Sequence, residues 1–325
     1  MDISTTYLGL KLKNPLIVAS CGLTKTVEKI QQCEDAGAGA VVMKSLFEEQ
    51  IRAEKTGLQD SYGMHPEVMD YIRAEVDMEY GARDYLTIIE GAKKSVTIPV
   101  IASINCFTSK WWTNYAQQIE AAGADALELN VYALPFDFEN SSTDLERIYL
   151  DVLQSVQSQI KIPVALKLSP YFTAFGHFAN RLSEAGADGL VLFNRFVKPE
   201  INVNKMSVST KGAFDDPVGF SYALRWIALL SDALALDLAA SGGIRDAQDM
   251  IKQLLAGANV VQVASVLYSG GLKKIDSLLD GLKEWMAAQH FETVAEFRGK
   301  LSQKNNPQSK DFVRAQYVKL IAGIE

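Results

Sequence analysis

The chain carries 325 residues, a net charge of −7 and 48% hydrophobic residues, the make-up of an ordinary soluble globular protein with length for a full core. The acidic balance argues against nucleic acid as the main partner, and no apolar run is long enough to cross a bilayer, so no membrane association is expected. The cysteines Cys21, Cys33 and Cys106 stand singly without a CxxC, and His65, His177 and His290 are scattered, so no disulfide framework and no metal site is expected.

The opening stretch MDISTTYLGLKLKNP has no charged segment followed by an apolar one. It does not read as a signal peptide, and a cytoplasmic protein is expected. Residues 5–13 alternate around Gly9 and predict a short hairpin. A repeat follows. Ala-Gly-Ala leads into an apolar run four times, at Ala36-Gly37-Ala38, Ala122-Gly123-Ala124, Ala185-Gly186-Ala187 and Ala256-Gly257-Ala258. Each glycine suits the position just after a helix, where φ is positive. Four more apolar runs lie between them, at Pro15–Ala19, Pro99–Ile104, Pro163–Leu168 and Leu234–Ala240. Three of these open with proline, which a strand tolerates at its first residue. Eight apolar runs alternating with helical patterns predict a buried parallel sheet closed on itself. The expected fold is therefore α/β, a (β/α)8 TIM barrel with an N-terminal β-hairpin and a C-terminal helical extension. Residues 1–325 read as one domain, with a helical tail over about 302–325.

Two segments exceed a minimal barrel. Residues 47–84 follow the second run and predict a lid over one face. Residues 196–217 follow the sixth run, carry Lys198, Pro199, Lys205, Lys211 and Gly212, and predict a second flap. Toward the end, residues 273–299 continue helical with Thr293 as a cap. Residues 302–311 read as a loop, and 312–323 as a short helix.

The last residues of the runs are polar or small. They are Ala19-Ser20, Lys44-Ser45, Asn105, Asn130, Lys167 and Asn194. The seventh run ends in Ser241-Gly242-Gly243, and Asp246 then caps a helix with Asp249 three residues on. The eighth ends in Ala264-Ser265. Any one polar terminus reads equally as a solvated strand end, but the set at one barrel face predicts a ligand site. Small-residue turns ahead of helix N-termini at the last two strands suit a phosphate, although Gly242-Gly243 alone is also simply a tight turn. A phosphate grip, two lysines and several asparagines suit FMN. Lys167 is the candidate to face the N1–C2 edge of the ring; the alternative is a strand-end lysine paired to a carboxylate. Lys44 would span flavin and substrate. A sugar-phosphate isomerase or lyase would need paired carboxylates at the strand ends, where asparagines and lysines stand instead.

The ordered set Ala19-Ser20-Cys21-Gly22, Val42-Met43-Lys44-Ser45, Glu128-Leu129-Asn130, Val164 to Tyr171 (VALKLSPY), Lys211-Gly212-Ala213-Phe214 and Ala240-Ser241-Gly242-Gly243-Ile244 resembles the dihydroorotate dehydrogenases over roughly residues 5–300. The chain looks like the soluble class 1 members. The resemblance implies FMN contacts at Ala19, Ser20, Lys44, Ser45, Asn105, Asn130, Lys167, Gly212, Gly242, Gly243, Ala264 and Ser265. It implies a small-molecule substrate, a pyrimidine or related ring, at Lys44, Asp60, Gly63, Met64, Asn130 and Asn194. It also implies a homodimer and a place in pyrimidine biosynthesis. Three positions depart from the family. The residue in the place of the general base is Ala133, which accepts no proton. A substrate-binding asparagine is replaced by Pro135, and another by Asp60, whose charge opposes an anionic orotate. Of the candidate substitutes, Tyr132 is adjacent but alternation turns it to the other side, Cys106 follows the third run and reads more simply as a packed thiol, and Tyr62, Asp60 and His65 lie on the predicted lid, where a lone histidine is more often solvated. The expected function is an FMN-dependent oxidoreductase with weak or absent dihydroorotate oxidation. The alternative is an inactive flavin-binding barrel with a regulatory or assembly role.

Overall fold

The computed structural model describes residues 1–48, 50, 82–106, 109–131, 138–194, 200–209, 217–306, 318 and 322–323. The chain begins with a hairpin, β1 (Thr5–Tyr7) paired antiparallel to β2 (Leu10–Leu12). Leu8 and Gly9 form its turn with φ of 53° and 71°, the left-handed pair that a tight two-residue hairpin needs.

The eight barrel strands are β3 (Leu16–Val18), β4 (Ala40–Val42), β6 (Val100–Cys106), β7 (Ala126–Val131), β8 (Val164–Leu168), β9 (Gly189–Leu192), β12 (Asp237–Ser241) and β13 (Val260–Val263). All pair in parallel. The ring closes where β13 meets β3 at Val261 and Leu16, and where β4 meets β6 at Val41 and Val100. Around the ring lie α1 (Val27–Asp35), α2 (Ala82–Ser95), α3 (Ser109–Ala121), α4 (Ser142–Gln157), α5 (Phe175–Glu184), α6 (Pro217–Leu230), α7 (Ala247–Ala256), α8 (Ser265–Gly270) and α9 (Lys274–Ala288). Among the described residues no helix is long and apolar enough to cross a membrane.

The predicted barrel and hairpin are present, with local differences. The second run is broken: after Val42 the strand stops, and a separate β5 (Leu46–Phe47) pairs with β6. The seventh strand begins at Asp237 rather than Leu234, because residues 231–236 form turns. Cys106 is the last residue of its strand rather than the residue after it. Thr293 precedes a short 3-10 turn but its side chain makes no capping bond. The second flap contains a hairpin, β10 (Glu200–Asn202) with β11 (Ser207–Ser209). Most of the predicted lid and of the C-terminal tail lies outside the described residues.

The Ala-Gly-Ala repeat has a mechanical reason. Gly37, Gly123, Gly186 and Gly257 take φ of 95°, 94°, 94° and 119°, turning the chain from helix into strand. The residue two places after each glycine then secures the neighbouring strand. Asp125 accepts the Val100 N–H at 2.7 Å, Asp188 the Val164 N–H at 2.8 Å and Asn259 the Leu238 N–H at 3.0 Å. In the first copy that place is Gly39, where a Cβ would lie 2.3 Å from the Asn14 carbonyl oxygen. The Asn14 side chain does the equivalent work by accepting the Leu16 N–H at 3.0 Å.

Side chains of the barrel fill two separate cores. The outer one lies between strands and helices, fed by faces such as Tyr149, Val152, Leu153 and Val156 of α4. The inner one joins Tyr7, Leu8 and Leu12 of the hairpin to Ile17, Val42, Ile101, Ala126, Ala165, Val191, Ala239 and Val260. The hairpin therefore closes the amino-terminal end of the barrel. Burying its three large side chains is worth about 1.5–3 kcal/mol each. Leu8 donates its N–H to Asp237 Oδ2 at 2.7 Å, and Gly189 is small because a Cβ there would lie 2.7 Å from Leu8 Cδ2.

Tyr7 is 1% exposed, and its hydroxyl has no hydrogen-bond partner among the described residues. Burial first, then the Glu128 and Asp237 carboxylates, push its phenol well above the ordinary value near 10. Above pH 10 the unfolded chain gives up this proton and the folded chain keeps it, so Tyr7 makes stability fall as pH rises past 10. Tyr7→Phe is expected to raise stability by about 1 kcal/mol at neutral pH and to flatten the decline above pH 10. Urea titrations at pH 7 and pH 10.5 check both effects.

Candidate functional site

Strand geometry builds the site directly above the inner core. Successive side chains of a strand point to opposite faces, so two residues further on the same face recurs, about 7 Å higher. Two residues beyond Ile101, Ala126, Ala165, Val191, Ala239 and Val260 stand Ser103, Glu128, Lys167, Phe193, Ser241 and Gln262. The barrel interior thus changes from apolar to mainly polar in a single step.

Three of these residues meet across the barrel. Lys167 Nζ lies 3.4 Å from Glu128 Oε1 and 3.5 Å from Gln262 Oε1, and Gln262 Nε2 donates to Glu128 Oε2 at 2.7 Å. Glu128 and Gln262 are each 1% exposed and Lys167 is 7% exposed. Of the two readings of Lys167, the lysine paired to a carboxylate is present, and the same lysine also lines a cavity.

A second set links three strand ends through hydroxyls. Ser45 Oγ lies 3.0 Å from Ser20 Oγ and 2.8 Å from Ser103 Oγ, and the Ser45 N–H donates to Ser20 Oγ at 2.8 Å. Tyr85 of α2 anchors the chain by accepting the Ser103 N–H and donating to its carbonyl. On the far side, Asn194 Nδ2 donates to Asn130 Oδ1 at 2.7 Å.

A cavity of about 250 Å³ opens at the carboxyl ends of the strands. Its wall includes Ala19, Ser20, Lys167, Asn194, Gly242, Gly243, Ala264 and Ser265, bringing those predicted residues together, with Phe193, Ser241, Ile244, Gln262, Val263 and Tyr268 besides. Gly242 and Gly243 take φ of 92° and 71°, and a Cβ on Gly242 would meet nothing within 4 Å. The turn is held from behind. Asp249 is buried and accepts the Arg245 N–H, Arg245 Nε and Lys252 Nζ, each at 3.2 Å, while Asp246 caps α7 through the Asp249 N–H at 2.9 Å. Tyr268 crosses the mouth and accepts the Gly22 N–H at 2.7 Å. Burial pushes the neighbouring Cys21 thiol up, against weaker opposing pulls from the Leu23 amide and the Tyr268 hydroxyl, so it stays protonated at neutral pH.

Lys44 and Ser45 line a separate small cavity of about 30 Å³ with Thr24, Lys25, Gln50 and Tyr85. Asn105 and Asn130 sit paired in register at the ends of β6 and β7 without lining either cavity. Asp60, Gly63, Met64, Ala133 and Gly212 lie outside the described residues, as do Tyr62, His65, Tyr132 and Pro135. The sequence reading missed Glu128, Gln262, Ser103 and Tyr268. The period-two count back from Asn130 and from Ala264 was the available signal for the first two.

The family model described as Dihydroorotate dehydrogenase matches residues 2–286. A protein of Thermoplasma volcanium named dihydroorotate dehydrogenase B (NAD(+)), catalytic subunit, is 28% identical over 310 residues, which cover 92% of this chain and 98% of the relative. The Pyrococcus furiosus protein of that name is 29% identical over 315 residues, covering 94% and 100%. The one from Methanothermobacter thermautotrophicus is 25% identical over 312 residues, covering 91% and 97%.

The hydroxyl chain makes its own prediction. Ser45→Ala removes the middle link and takes from the buried Ser103 hydroxyl its Ser45 partner. Stability is expected to fall by about 1–3 kcal/mol, read as a lower urea midpoint at unchanged slope.

Proposed function

The chain belongs to the dihydroorotate dehydrogenase family, and from that premise we propose that it is an FMN-dependent oxidoreductase acting on a dihydropyrimidine or related ring. The observation that carries the reading is a single cavity lined by Gly242-Gly243, Ala264-Ser265 and Lys167 together. The open space at Gly242 supports it too, because a Cβ there would occupy the room a bound group needs.

In this reading the backbone N–H groups of Gly242, Gly243, Ala264 and Ser265 hold the phosphate. The positive end of α7 adds to the attraction. Ala19 and Ser20 border the ring, with Lys167 beside its N1–C2 edge, and the family resemblance adds Gly212 and, from outside the wall of this cavity, Lys44, Ser45, Asn105 and Asn130. Bound FMN supplies a centre that accepts a hydride. Lys44, Asn130 and Asn194 hold the substrate, and the family resemblance adds Asp60, Gly63 and Met64 to its contacts.

Oxidation of dihydroorotate removes a hydride from C6 and a proton from C5. The proton has no acceptor at position 133, where alanine stands, and Asp60 repels the carboxylate of orotate. The activity toward dihydroorotate itself is therefore weak or absent, and a neutral dihydropyrimidine suits the site better. A second reading, an inactive flavin-binding barrel in a regulatory or assembly role, draws on the same alanine. A cytoplasmic homodimer belongs to this proposal. The words NAD(+) and catalytic subunit in the relatives' names support an acceptor reached through a further subunit.

Purified protein is expected to take up FMN and turn yellow, and to bleach slowly or not at all when mixed anaerobically with dihydroorotate. Ala133→Cys is expected to speed bleaching by about 10²–10⁴-fold, the usual contribution of a general base. Rapid bleaching of the unaltered protein would place the base elsewhere. A colourless protein that FMN cannot reconstitute would remove the cofactor itself.

A further inference from the structure

The buried ring of Lys167, Glu128 and Gln262 does more than hold three strands. Lys167 and Gln262 line the cavity, whereas Glu128 lies behind them at 1% exposure. The Gln262 amide is spent at both ends, its oxygen on the ammonium and its NH₂ on the carboxylate, at 3.5 and 2.7 Å. Turned over, it would set its NH₂ against Lys167 and its oxygen against Glu128, so the ion pair fixes its orientation. A carboxylate is thereby held 3.4 Å from the one lysine among the described residues of the cavity wall.

Resting on the cofactor reading above, we infer that Glu128, oriented by Gln262, is a positioning residue that acts through Lys167: it offsets the lysine's charge, so that the site favours the oxidised flavin ring. Two-electron reduction places negative charge at the N1–C2 edge. A bare ammonium there would attract the reduced ring much more strongly than the neutral oxidised one. Paired with Glu128, the lysine still orients the ring edge by hydrogen bonding but adds little net charge. The carboxylate thus lowers the reduction potential of the bound flavin, and its removal raises that potential.

The test compares Glu128→Gln with Glu128→Asp at one fixed pH. The midpoint potentials of bound and free FMN give the ratio of dissociation constants for oxidised and reduced FMN. Glu128→Gln, which keeps the shape and removes the charge, is expected to raise that ratio at least tenfold, about 30 mV for a two-electron couple. Glu128→Asp, which changes the shape and keeps the charge, is expected to stay within threefold of the unaltered protein. A merely structural residue would give the reverse order of damage, with lower Tm and equal weakening of both oxidation states. A ratio within threefold for Glu128→Gln, or a larger change for Glu128→Asp, overturns the inference. Glu128→Leu, neutral and similar in volume, carries the same expectation where the glutamine variant does not fold. Unaltered protein that takes up no FMN overturns the cofactor reading, and this inference with it.

Discussion

A closed ring of parallel strands leaves its interior side chains no freedom of address. Each inward residue is followed, two places on, by another stacked above it, and the whole stack is walled off from water by neighbouring strands. In this barrel that constraint turns a short sequence change into a site. Where Ala126 gives way to Glu128, Ala165 to Lys167 and Val260 to Gln262, the apolar floor becomes a polar chamber. The hairpin beneath, the turns above and the helices around all serve to keep that boundary in place.

Charge inside such a space is tolerated only in company. An ammonium or carboxylate taken out of water costs several kcal/mol unless a partner and further hydrogen bonds meet it. Lys167 and Glu128 meet each other, and Gln262 reaches across from β13 to satisfy both. Glu128 and Lys167 come from the paired strands β7 and β8, whereas Gln262 comes from β13, so the third partner reaches them only across the barrel. The hydroxyl chain from Ser20 through Ser45 to Ser103 instead runs between neighbouring strands, β3, β4 and β6.

What was legible in the sequence was local. The four positive-φ glycines announced helix ends because only that residue turns there cheaply, and all four adopt the predicted geometry. Asp246 announced a cap three residues ahead of Asp249, and the bond is present. The strand ends announced a face. Less legible were the partners made by closure. Glu128 stands inside an apolar run, ALELNV, and Gln262 inside VVQV, so each reads as an interruption of a strand until the two are found 2.7 Å apart. The break after Val42 was hidden because Met43 carries the apolar run one residue past it. The family resemblance added what residue patterns do not state, the membership that the family model over residues 2–286 then shows.

The hairpin that seats Tyr7, Leu8 and Leu12 in the floor also decides traffic. Among the described residues the amino-terminal end of the barrel is filled by apolar side chains, so a ligand of the cavity has to come over the rim that the strand ends form.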